Sequence, residues 1–161
     1  MNEGSGRRRF LTMLIAGPAL LTTVGCEPTS GPDRAAAKNG TGELRTDPEP
    51  LRKRFPELGP SFEAQWMSGQ YGDERAPGPS TYWIDAVIAL PSDRASRLLT
   101  AYAPVETTEA PAVVDGLRSR LPAGPLLTSA ALDAAFAPDE GSARAYLDRA
   151  TYTLILVVTL G

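Results

Sequence analysis

The chain has 161 residues, 16 basic against 19 acidic side chains for a net charge of −3, no histidine and one cysteine. These counts exclude an intramolecular disulfide, Ser-His-Asp and Cys-His catalysis, and a His/Cys zinc set, so catalysis would fall to carboxylates, Tyr, Lys or Ser, and metal binding to oxygen ligands alone. The acidic balance argues against nucleic acid, which needs an excess of Lys and Arg on one face.

Residues 6–33 read GRRRFLTMLIAGPALLTTVGCEPTSGPD. Three arginines precede an apolar run over 10–25 that contains Gly17 and Pro18. A helical span needs ~20 apolar residues, so the run reads as the apolar region of a signal peptide behind a basic leader. The other reading is a buried N-terminal helix, which Pro18 disfavours. Arg7 and Arg8 with Phe10 and Leu11 resemble a twin-arginine export signal, with Gly6 and Thr12 departing from the usual residues. A plain basic leader for the general secretory route is the alternative. TVGC at 23–26 resembles a bacterial lipobox, with Thr23 in place of the usual leucine. The resemblance implies that Cys26 is lipidated, palmitate included, and becomes the mature N-terminus. Cleavage after AAA at 35–37 is the competing reading. Removing 1–25 leaves 13 basic and 18 acidic residues.

Residues 26–47 are rich in Pro and Gly and lack apolar periodicity, so they are expected to form a lipidated N-terminus and flexible tether. Residues 48–161 are expected to form one domain. PLRKRFPEL at 50–58 predicts a helical turn packing Leu51, Phe55 and Leu58. Two stretches then open with Gly-Pro-Ser and alternate with period two. In the first, Phe62, Ala64 and Trp66 share one face, and Glu63, Gln65 and Met67 the other. In the second, Tyr82, Ile84, Ala86, Ile88 and Leu90 share a face opposite Trp83, Asp85, Val87 and Ala89.

Helices are predicted from Ser92 to before Pro104, over 112–120, after a Thr128 or Ser129 cap, and over 142–149. TYTLILVVTL at 151–160 is β-branched and apolar and predicts a central strand between the two earlier ones, with Tyr152, Leu154, Leu156, Val158 and Leu160 inward. The fold expected is α+β, a small antiparallel sheet of about three strands with several short helices on one face.

That arrangement leaves the second face, with Glu63, Gln65, Met67, Trp83, Asp85, Thr151 and Thr153, open to a saccharide or peptide. The 71–83 loop adds Asp73, Glu74 and Arg75 between two aromatics. Asp85, mid-strand among apolar residues, calls for a partner such as Arg75 or a ligand. The candidate interaction surface is therefore Glu63, Gln65, Asp73, Arg75, Trp83 and Asp85. No catalytic, cofactor-binding or metal-binding residue is assigned, and no cofactor is expected.

By signal, composition and use of arginine (14 Arg to 2 Lys), the chain resembles the short lipoproteins of high-GC actinobacteria. The resemblance implies a protein held through its N-terminal lipid on the outer face of the cytoplasmic membrane, and it carries no activity. The function expected is a binding or interaction module of the cell envelope. The alternatives are an accessory or structural partner of another envelope protein, and a carboxylate-dependent hydrolase.

Overall fold

In the computed structural model the described residues are 38–39, 42–71 and 81–161. The chain divides into two units, Met1–Asp33 and Arg34–Gly161, and every described residue belongs to the second. The export-signal residues Arg7, Arg8, Phe10 and Leu11, the lipidation residue Cys26, and Asp73 and Arg75 of the loop lie outside the described residues.

Among the described residues, seven antiparallel strands build one sheet. In chain order they are β1 (Lys38–Asn39), β2 (Glu63–Tyr71), β3 (Tyr82–Ala89), β4 (Val105–Thr107), β5 (Leu126–Thr128), β6 (Gly141–Asp148) and β7 (Thr153–Leu160). Their order across the sheet is β1-β2-β3-β7-β6-β5-β4. The expected α+β content is present, but the sheet is more than twice the size predicted. The C-terminal strand is central, as its apolar density suggested. Its neighbours are β3 and β6, however, because β2 and β3 pair directly over eight positions, from Glu63↔Ala89 to Gln70↔Tyr82. Tyr152 is not inward: it sits in the turn before β7 at φ 57°, partly exposed.

β6 replaces the helix predicted over 142–149. Its Ala, Arg and Leu residues favour a helix, but Ala143, Ala145 and Leu147 alternate with Arg144, Tyr146 and Asp148. All eight residues pair with β7, from Gly141↔Leu160 to Asp148↔Thr153. Ladder pairing plus burial of both faces overrides propensity here. Gly141 opens the strand at φ 145°, where a Cβ would lie 2.0 Å from the Thr159 carbonyl oxygen. Only glycine tolerates that backbone and that approach.

The helices are α1 (Glu49–Arg54), α2 (Ser92–Tyr102), α3 (Asp115–Arg118) and α4 (Ala130–Phe136), with a 3-10 turn at Pro56–Leu58. α1, the 3-10 turn, α2 and α4 bury Leu51, Phe55, Leu58, Leu98, Leu132 and Phe136 against Trp66, Ile84, Ala86, Ile88, Leu154 and Leu156. Each buried Leu or Phe contributes roughly 1.5–3 kcal/mol. Leu51, Phe55 and Leu58 thus pack as the 50–58 pattern predicts. Ser129 caps α4, its Oγ accepting from the Leu132 N–H at 3.1 Å. β5 accompanies β6 for only two residues. Beyond it, the Ala145 N–H donates to Asp133 Oδ1 of α4 at 2.8 Å, and the Ala145 carbonyl accepts from the Thr128 hydroxyl. Side chains thus satisfy backbone groups that would otherwise lack partners.

The second sheet face is covered, against expectation. Val113 and Leu117 form a second cluster with Tyr146 and Ile155, joined by Met67, Val87, Val114, Leu121 and Val157. The sheet therefore lies between two layers. The cause is legible in β3 and β7, whose outward rows carry Val87, Ile155 and Val157. Such rows gain from removal from water.

Residues assigned to the tether also pack on the sheet. Lys38 and Asn39 pair with Tyr71 and Gln70. Arg45 and Trp66 exchange both backbone hydrogen bonds at 2.9 Å. The Asp47 carbonyl accepts from the Trp66 indole N–H at 2.9 Å. The outer edge of β2 supplies the unpaired donors and acceptors that draw this strap in.

Candidate functional site

Asp85 is fully buried in the middle of β3, flanked across the sheet by Met67 and Val157. Lys38 Nζ reaches both of its carboxylate oxygens, at 2.6 and 2.7 Å. The Val114 N–H donates to Oδ2 at 2.7 Å. The same ammonium donates to the Ala112 carbonyl at 2.9 Å and lies 5.5 Å from the centre of the Trp83 ring. Burial pushes the Asp85 carboxyl above its ordinary value, against the opposing pull of Lys38 and the Val114 N–H. One carboxylate thus ties together β1, β3 and the segment that covers the second face.

Trp83 and Asp85 are therefore not an open recognition surface: both are 0% exposed. The partner of Asp85 among the described residues is Lys38, where the sequence suggested Arg75. Nothing local pointed to it, since the chain offers 16 cationic side chains and Lys38 sits in a stretch that reads as a linker. A buried carboxylate requires a cation or several donors.

Glu63 and Gln65, the other two candidates, do come together. They line a groove of about 750 Å³ at one end of the second face. Its floor is the row Glu63, Ala89, Thr153 across β2, β3 and β7, with Gln65 and Val87 behind it. Ser119, Arg120 and Pro122, just past α3, line it too, as do Thr46 of the strap and Thr151. Gln65 has a buried Oε1 without a hydrogen-bond partner among the described residues. An unmet buried acceptor costs about 1–3 kcal/mol, so Gln65 brings to the groove an acceptor that a ligand's donor would satisfy. Ser119 and Arg120 were absent from the sequence candidates, because nothing local tells that a segment after a short helix folds back over a sheet end.

Elsewhere, the Tyr146 hydroxyl donates to Glu109 Oε1 at 2.9 Å, and Arg144 bridges Glu109 and Asp133. Burial, then the Glu109 carboxylate, raises the Tyr146 phenol above its ordinary value. This cluster fastens the 105–112 segment to β6. Among the described residues, no group of three or more His, Cys, Asp or Glu is placed to hold a metal ion. No described helix is long and apolar enough to cross a membrane.

No family model matches the chain. No curated protein matches it. No solved structure matches it.

Proposed function

We propose that the chain is a membrane-anchored extracytoplasmic lipoprotein, held through Cys26 on the outer face of the cytoplasmic membrane, whose domain is a binding module of the cell envelope. The observation that carries the binding reading is the groove. Glu63, Gln65, Ser119, Arg120, Thr151 and Thr153 bring a carboxylate, an amide, a guanidinium and hydroxyls to one concavity within the size range of small-ligand sites. That mixture suits a neutral or zwitterionic polar ligand, a saccharide or short peptide, better than an apolar one. Among the described residues lining the groove Glu63 is the one carboxylate, which favours binding over acid–base hydrolysis.

Backbone amide NMR of the folded protein, titrated with N-acetylglucosamine oligomers and with short peptides, tests the reading. Shifts centred on Glu63, Gln65 and Thr153 are expected, weakened about tenfold by Glu63→Gln, equivalent to roughly 1.4 kcal/mol. Silence from both panels, or shifts centred elsewhere, would overturn it. The anchoring reading has its own test. Radiolabelled palmitate should enter the wild-type chain and not Cys26→Ala.

A further inference from the structure

The residues that hold the strap and those that line the groove are joined by two short steps. Lys38, in the strap, bonds the Asp85 carboxylate and the Ala112 carbonyl. Asp85 in turn accepts from the Val114 N–H. Val114 is the residue before α3, and α3 leads directly to Ser119 and Arg120 in the groove. Val113 and Leu117, either side of that N–H, are the buried side chains of the covering layer. A buried carboxylate with three bonds, two to Lys38 and one to Val114, depends on Lys38 for two of the three and for its counter-charge. If Lys38 leaves, Asp85 must draw in water or let the Val114 segment shift, because an unpaired charge in that setting is costly.

We infer that the Lys38–Asp85 pair is a latch through which docking of the N-terminal strap sets the position of the groove wall formed by Ser119 and Arg120, so that the strap regulates the groove. This rests on the groove being the binding site. Its physical content is a coupling between two places on the second face, carried by an ion pair and one backbone hydrogen bond. Coupling of this kind is reciprocal: whatever steadies the wall also steadies the strap. Thr46 of the strap lines the groove as well, so strap and wall border the same space.

Hydrogen exchange on the full-length chain in detergent tests the latch without any ligand. In Lys38→Met, the amides of Asn39 and Arg45 in the strap and of Leu117, Arg120 and Leu121 in the wall should exchange at least tenfold faster together. Those of α2 and α4 should remain the slower-exchanging set. Asp85→Asn, which keeps a side chain of the same size, is the second variant and should loosen the same two regions. Faster strap exchange with an unchanged wall in both variants would overturn the coupling, as would an unchanged strap. Exchange of α2 and α4 as fast as that of strap and wall would show a general loss of structure and also overturn it. Failure of the binding reading looks different: the groove would ignore both ligand panels while strap and wall still loosened together.

Discussion

Arg45 lies over Trp66, its guanidinium carbon 4.1 Å from the ring centre, while the two residues exchange backbone hydrogen bonds in both directions. A residue expected in a tether thus behaves as one rung of the sheet. The side-chain part is modest, since an exposed cation–π contact contributes about 0.5–1 kcal/mol. Arg45→Ala should lower the urea midpoint slightly, by about 0.5–1 kcal/mol in free energy, with an unchanged denaturant slope. A loss well above that range would mean that the Arg45–Asp47 pair at 2.9 Å contributes more than an exposed pair should.

The Lys38–Asp85 pair should behave as a buried one. Lys38→Met leaves a carboxylate without its cation and should cost about 3–5 kcal/mol. Combining it with Asp85→Asn should cost less than the two single losses added, by roughly 1–3 kcal/mol, because the second change removes the charge the first one stranded. Chemical denaturation of the four proteins at pH 7 reads this directly. Additive losses would show that the two side chains do not depend on each other.

The pH dependence follows from the raised Asp85 carboxyl. Its value in the fold lies above the ordinary 3.8, so the fold binds this proton more tightly than the unfolded chain does. Its contribution to stability is complete below 3.8 and declines as pH rises through the folded value. The stability of wild type relative to Asp85→Asn should therefore fall as pH rises from 3.8 towards neutrality. Paired denaturation curves between pH 3 and pH 7 measure it. A relative stability that climbs instead would mean that Lys38 outweighs the burial of the carboxylate.

Ser129 works twice at one junction, capping α4 through Leu132 and donating to the Tyr102 carbonyl at the end of α2 at 2.8 Å. Ser129→Ala should cost about 1–2 kcal/mol, more than an average cap, and calorimetry should show the melting temperature falling accordingly.

How far the sequence foretold this arrangement depended on how local the cause was. Alternation in 62–67 and 82–90 identified β2 and β3 because each residue reports its own face. The 50–58 turn and the α4 cap were legible for the same reason. β6 was hidden because alanine, arginine and leucine favour a helix until β7 lies alongside. β4 and β5, three residues each, are too short to show a period. The covered second face was half visible: Val87, Ile155 and Val157 marked it as apolar, but its cover comes from residues 113–121, remote in sequence. Asp85 stood out as a lone carboxylate in an apolar strand, and Glu63 and Gln65 proved to share a groove. Lys38 escaped notice because the surrounding Ala, Asn and Gly resemble a linker.

The strap also sets a dimension. If the chain is held at Cys26, the membrane-distal reach of the domain is limited by Lys38, which pairs with Tyr71 of the sheet. Twenty-two residues, from Glu27 to Pro48, span at most about 75 Å when fully extended; the twelve from Glu27 to Lys38 span about 40 Å. On that anchoring, the Lys38–Asp85 pair would keep the domain within about 40 Å of Cys26, against about 75 Å for a tether running to Pro48.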